Sequence, residues 1–195
     1  MKLKFLTFLI IFSSISSVSL SIEPDIFVQS TVNRASKLLN ENISKDEKIK
    51  KLKLIAKETV DIRGIGFYTL GSKRKSLNEE EKKRYAKLFE VYFLKSFSSR
   101  LAEYTNPEID VFNKEKLNDS YTIVNSLLKA TNERPEINID WRIYTKDPNN
   151  PLIRDLIIEG LSLARTQKEE FASVLSSNDD NIDALFKVLE EFSNN

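Results

Sequence analysis

"PEINIDWRIYT", Pro135 to Thr145, sets the fold class. Ile137, Ile139, Trp141 and Ile143 alternate strictly with Asn138, Asp140, Arg142 and Tyr144. A period of two is the mark of a strand with one buried and one solvated face. Runs of similar length flank it: "PEIDVFNKE" (107–115), "DSYTIVNSLLKA" (119–130) and "PLIRDLIIEGLSL" (151–163), each bounded by Asn, Asp, Pro or Gly. Such spacing predicts consecutive strands joined by tight connections.

Outside this block the period changes to that of a helix. Pro24 suits a first helical turn, and Ile26, Val32, Ala35 and Leu39 follow at helical spacing. "SKDE" (Ser44–Glu47) has the form of a capping box, and Ile49, Leu52, Ile55 and Ala56 then make one stripe. "SLNE" (Ser76–Glu79) has the same form and opens the longest helix. Its stripe is aromatic: Tyr85, Leu88, Phe89, Tyr92, Phe93, Phe97, Leu101 and Tyr104. Two further helices are predicted after the strands, from about Arg165 to Leu175 and from about Ile182 to Phe192. Helices segregated from consecutive strands define an α+β domain, expected as a mostly antiparallel sheet of four to five strands wrapped by helices.

The first 21 residues stand apart. Lys2 and Lys4 precede an apolar run from Phe5 to Phe12, and a Ser-rich end places Ser19 and Ser21 at the small-residue positions of a cleavage site before Ile22. The layout is that of a secretory signal peptide, with residues 22–195 as a single domain. No Cys stands near the site to accept a lipid anchor.

Composition excludes whole classes of chemistry. The chain of 195 residues has no Cys and no His. Ser-His-Asp and Cys-His nucleophiles are absent, as are imidazole or thiolate zinc sites. No cofactor is expected. Removing Lys2 and Lys4 from the 30 basic residues leaves 28 against 29 acidic ones. Phosphate-tracking proteins carry a basic excess, so a nucleic-acid partner is not expected.

What remains open to an enzyme is carboxylate, Lys or Tyr chemistry, and the carboxylates are the first candidates. Asp140, Asp155 and Glu159 lie close in the strand block, and two such groups can act as acid and base where their environments differ. Arg142 and Arg154 stand beside them as ordinary ion-pair partners, and no Gly-rich loop accompanies them. "DIRGIGFYTLGSKRK" (61–75) lacks the third Gly of a dinucleotide loop and reads as helix-terminal glycines before a basic surface turn. The aromatic stripe has two readings: a filled core, or the wall of an apolar cavity.

The order of these elements resembles the MlaC family, also called the toluene-tolerance family. The shared features are a leader, a first helix "PDIFV", Asp61 followed by Leu70-Gly71, the "SLNEEEKKRYAKLFEVYFLKSF" helix, four strands, and "RDLIIEGLSLARTQKEEF". The last stretch matches the family pattern at Asp155, Glu159, Gly160, Ser162, Lys168 and Phe171. "SKRK" stands where the family has Trp-Arg, Pro151 where it has Trp, and Gln167-Lys168 where it has Tyr-Arg.

The resemblance implies a curved sheet enclosing a deep apolar pocket, in a periplasmic phospholipid carrier without catalytic activity. Its implied partners are phospholipid, an inner-membrane ABC transporter complex and an outer-membrane lipoprotein–porin complex, and the carrier is expected to be monomeric. The pocket is expected to be lined by Leu88, Phe89, Tyr92 and Phe93 of the long helix and by Val124, Ile137, Ile139, Trp141, Ile143 and Ile158 of the sheet. Asp155, Gly160, Ser162 and Lys168 are expected at its rim or corner. Two alternatives remain open at this point: a small α+β enzyme with an Asp or Glu base acting on an apolar substrate, and an exported protein-binding or chaperone module with a full core.

Overall fold

The protein is described by a computed structural model over residues 21–132 and 134–194. The leader lies outside the described residues, apart from Ser21. The chain enters α1 (Pro24–Leu39) with Pro24 in the first turn, as expected. In α2 (Lys45–Thr59), Ser44 accepts a hydrogen bond from the Glu47 amide, so the capping role predicted for Ser44 is realised. A short α3 (Ile62–Thr69) and a 3-10 turn (Gly71–Lys75) lead to α4 (Glu79–Leu101).

The cap of α4 lies two residues beyond the predicted Ser76–Glu79. Asn78 Oδ1 accepts from the Glu81 amide at 2.9 Å and Glu81 Oε2 from the Asn78 amide at 2.8 Å. Ser76 is spent otherwise: its hydroxyl donates to the Lys73 carbonyl and closes the preceding turn. The glycines also correct the reading of this segment. Gly64 and Gly66 lie inside α3, and only Gly71 follows its end. A Cβ on Gly66 would stand 2.7 Å from a ring carbon of Phe89, so Gly66 lets α3 close onto α4.

The strands β1 (Ile109–Asn118), β2 (Tyr121–Leu128), β3 (Ile137–Tyr144), β4 (Leu152–Ile158) and β5 (Leu161–Ser162) form one open antiparallel sheet in sequence order. The predicted α+β class is therefore observed. Register shifts interrupt β1 against β2 twice and β3 against β4 between Arg142 and Ile143; irregularities of this kind bend a sheet. The alternation read in "INIDWRIY" holds, with Ile139, Trp141 and Ile143 buried.

A two-residue hairpin joins β4 to β5 through Glu159 (φ 49°) and Gly160 (φ 81°). Positive φ at both positions fits a primed turn, and it is the backbone angle that favours Gly160, since a Cβ there would meet nothing. The chain then passes directly into α5 (Leu163–Ser176) and ends in α6 (Ile182–Asn194). Thr166, an alternative cap by its "TQKE" pattern, lies within α5 and donates back to the Ser162 carbonyl. Ser162 is the cap, accepting from the Arg165 amide at 3.1 Å.

One main cluster of buried side chains joins the inner sheet face to α1, α3, α4, α5 and α6. On the other side, Arg154 bonds Asp61 through Nε at 2.6 Å, donates to Tyr121 and lies over the Tyr144 ring. That ion pair ties the α2–α3 junction to β4.

Candidate functional site

Along most of α4 the aromatic stripe meets other side chains, but on one flank it does not. A cavity of about 230 Å³ opens between α4, the β3–β4 part of the sheet and the first turns of α5. Phe89, Tyr92, Phe93 and Phe97 supply the α4 wall, with Ser96 and Arg100 continuing the same face toward the helix end. Trp141, Ile153, Asp155 and Leu156 supply the sheet wall, and Val60 with Ile65 closes one side. The α5 wall is Leu163, Ala164, Thr166, Gln167 and Glu170.

The apolar walls are held in place by ring packing. Phe93 and Phe97 stack with centroids 5.5 Å apart, and Phe171 meets Phe89 edge-on at 6.2 Å. Trp141 keeps its indole N–H away from the cavity by donating to Ser126 Oγ at 2.8 Å; that hydroxyl donates onward to the Ile139 carbonyl. A buried indole must find such a partner, and here the partner frees the ring to serve as wall. Leu163 lines the cavity while remaining exposed, an apolar lip at its edge.

The polar groups are fixed with equal care. Asp155 is buried, and each of its oxygens accepts one bond: Oδ2 from Ser162 Oγ at 2.6 Å, Oδ1 from the Ala164 amide at 3.0 Å. A carboxylate at a helix start is favoured by the free amides and the dipole there. Asp155 thus anchors the start of α5. Tyr92 donates its hydroxyl to Gln167 Oε1 at 2.8 Å, and Gln167 Nε2 donates to Glu170 at 2.8 Å. Partial burial, and next the negative charge of Glu170, hold the Tyr92 hydroxyl above the ordinary tyrosine pKa. It stays a neutral donor.

Of the residues predicted for the pocket, Phe89, Tyr92, Phe93 and Trp141 meet at this cavity. Val124 and Ile143 are fully buried in the filled part of the core, and Ile139 is buried near them. Leu88 and Ile137 pack on that core's edge, and Ile158 pairs with Ile139 across the sheet. None of these six lines the cavity. Among the four rim residues, Asp155 lies in the wall, Gly160 and Ser162 form the strand-to-helix corner, and Lys168 points elsewhere, its ammonium 5.3 Å from the Tyr68 ring centre.

The three suspected carboxylates are not gathered into one site. Asp140 accepts from Asn125 at 2.7 Å, and its strand partner on β4 is Ile157. Glu159 accepts a hydrogen bond from the Asn138 amide and is exposed at the hairpin. Only Asp155 meets the cavity. Among the described residues no group of three or more acidic side chains is placed to hold a metal ion.

The polar lining was missed from sequence: Ser96, Arg100 and Glu170 belong to no motif there, Thr166 stands in a capping pattern, and Gln167 stands as a departure from the family pattern. The spacing held the signal. Positions 89, 92, 93, 96, 97 and 100 occupy one face of α4, and 163, 166, 167 and 170 one face of α5.

With fold and cavity described, the sequence pattern of the family described as MlaC protein can be laid on the chain: it matches residues 29–191. The chain belongs to the MlaC family. A search of the curated proteins gives no match. Among solved structures, a phospholipid-binding protein from Ralstonia solanacearum, determined in complex with a phospholipid, is similar with a TM-score of 0.74. The two share 18% identity over 88% of this chain and 97% of that one. The likeness is therefore one of fold.

Proposed function

We propose that this chain is a periplasmic phospholipid carrier that moves lipid between an outer-membrane lipoprotein–porin complex and an inner-membrane ABC transporter complex, maintaining outer-membrane lipid asymmetry. The observation that carries the reading is the cavity on the α5 flank of α4: aromatic and aliphatic within, polar at one side, and open. Membership of the MlaC family and the phospholipid seen in the similar structure support it. The thermodynamic need is plain. An acyl chain loses about 0.8 kcal/mol for each CH₂ exposed to water, so two chains cannot cross an aqueous space bare.

The proposed acyl site is the wall built by Phe89, Tyr92, Phe93, Phe97, Trp141 and Leu156. At about 230 Å³ the cavity lies below the ~300–1,000 Å³ of pockets that enclose drug-sized ligands. Full loading therefore requires α5 to move away from α4. Tyr92 carries much of the bridge between them, through Gln167 and through the Phe171 ring 5.8 Å away. Transport has no covalent step, and Asp155 acts as an anchor of α5. The carrier is a monomer exported by residues 1–21, with residues 22–195 as its one domain. Among the described residues no helix is long and apolar enough to cross a membrane.

The test is uptake from vesicles. Lipid-free protein incubated with phospholipid vesicles and reisolated is expected to carry phospholipid, and sequencing of the exported protein to begin at Ile22. Recovery of bare protein after exposure to vesicles would remove the carrier reading.

A further inference from the structure

The polar side of the cavity carries two opposite charges that do not neutralise each other. Arg100, in the last turn of α4, and Glu170, on α5, both line it. Among the described residues Arg100 enters no ion pair, and Glu170 none either. Glu170 is nevertheless oriented: Gln167 Nε2 holds its Oε2 at 2.8 Å, and Gln167 is itself held by Tyr92. Arg100 on α4 and Glu170 on α5 thus face the same cavity from two different walls. The third charged group of the lining, Asp155, has both oxygens engaged at the start of α5.

Resting on the carrier reading above, we infer that this mouth selects a zwitterionic headgroup, with Arg100 taking the phosphodiester and Glu170 the ammonium. A guanidinium offers a fork of donors matched to phosphate oxygens. The carboxylate of Glu170 accepts a charge-assisted bond from a primary ammonium, which a headgroup without a cation cannot offer. Ser96 and Thr166 add hydroxyls on the two facing helices. An anionic phosphatidylglycerol satisfies Arg100 but offers Glu170 only neutral hydroxyls in place of a cation. A phosphatidylethanolamine satisfies both.

The full-length mature protein, stripped of lipid, is incubated with vesicles of equal phosphatidylethanolamine and phosphatidylglycerol, and the lipid it takes up is identified by mass spectrometry. The wild type is expected to enrich phosphatidylethanolamine over the vesicle ratio by roughly two- to fivefold, the range of exposed charge pairs. Glu170→Lys is expected to shift the ratio toward phosphatidylglycerol, and Arg100→Gln to lower uptake of both. Uptake of both lipids in the vesicle ratio, or a ratio unmoved by Glu170→Lys, overturns the headgroup inference and leaves the carrier reading standing. Uptake of neither lipid overturns both.

Discussion

On the side where α4 meets α6, Leu185, Phe186 and Leu189 are buried to the last few square ångströms, and Arg84 of α4 lies over the Phe186 ring at 4.4 Å. On the side where α4 faces α5 and β4, Phe93 and Phe97 are only half-buried and border open space. Both flanks of α4 are lined by apolar side chains, those of α6 on the filled side and Phe93 and Phe97 of α4 on the open one. Composition therefore does not separate packed core from binding wall; the position of the partner element does. α6 lies close against α4, whereas α5 is anchored on β4 through Asp155 and joined to α4 by a bridge centred on Tyr92.

If the contrast is real, mutations on the two flanks should separate stability from ligand uptake. The largest effect is expected on the filled flank. Phe186→Ala should cost about 3–5 kcal/mol of stability, the usual range for a buried aromatic, while the protein that remains folded takes up lipid normally. Urea unfolding and vesicle uptake on the same samples check this. Next comes the anchor. Asp155→Ala leaves the Ala164 amide and the Ser162 hydroxyl without their acceptor and should cost about 2 kcal/mol, with faster hydrogen exchange confined first to the start of α5.

Smaller effects are expected on the hollow flank. Ser96→Phe puts a ring into space that holds no protein atoms, so stability should change by less than about 1 kcal/mol. Loss of room for about two CH₂ groups should nonetheless weaken lipid binding by ~1.6 kcal/mol, about fifteenfold, in a vesicle competition assay. The smallest effect tests the bridge. Tyr92→Phe removes one hydrogen bond worth about 1 kcal/mol and should speed lipid uptake by up to about fivefold in stopped-flow transfer, with little change at equilibrium. Slower uptake in that variant would show that the bridge does not restrain α5.

The sequence carried the periods and therefore the elements: two for β3, 3.6 for α4. The cap at Ser44 was legible, and that of α4 was misplaced because a better cap, Asn78, follows Ser76. The hollow was not legible. Strand parity chose Val124 and Ile143, which belong to the inner face but sit where helices cover it fully. The register shift between Arg142 and Ile143 places Leu156 opposite Trp141, and no pattern of hydrophobicity announces such a shift. Asp155 looked like chemistry because Asp140 and Glu159 stand near it in the strand block. The hairpin at Glu159–Gly160 explains it, by returning the chain so that Ser162 and the Ala164 amide meet that carboxylate.

The central claim is that the flank of α4 facing α5 is a lipid site and the flank facing α6 is core. Native mass spectrometry of the protein, purified without detergent and compared with Ser96→Phe and Phe186→Ala, tests it most directly. The account predicts a bound phospholipid on the wild type and on folded Phe186→Ala, and a much smaller lipid-bound fraction on Ser96→Phe. A bare wild-type mass, or phospholipid carried equally by Ser96→Phe, would contradict it.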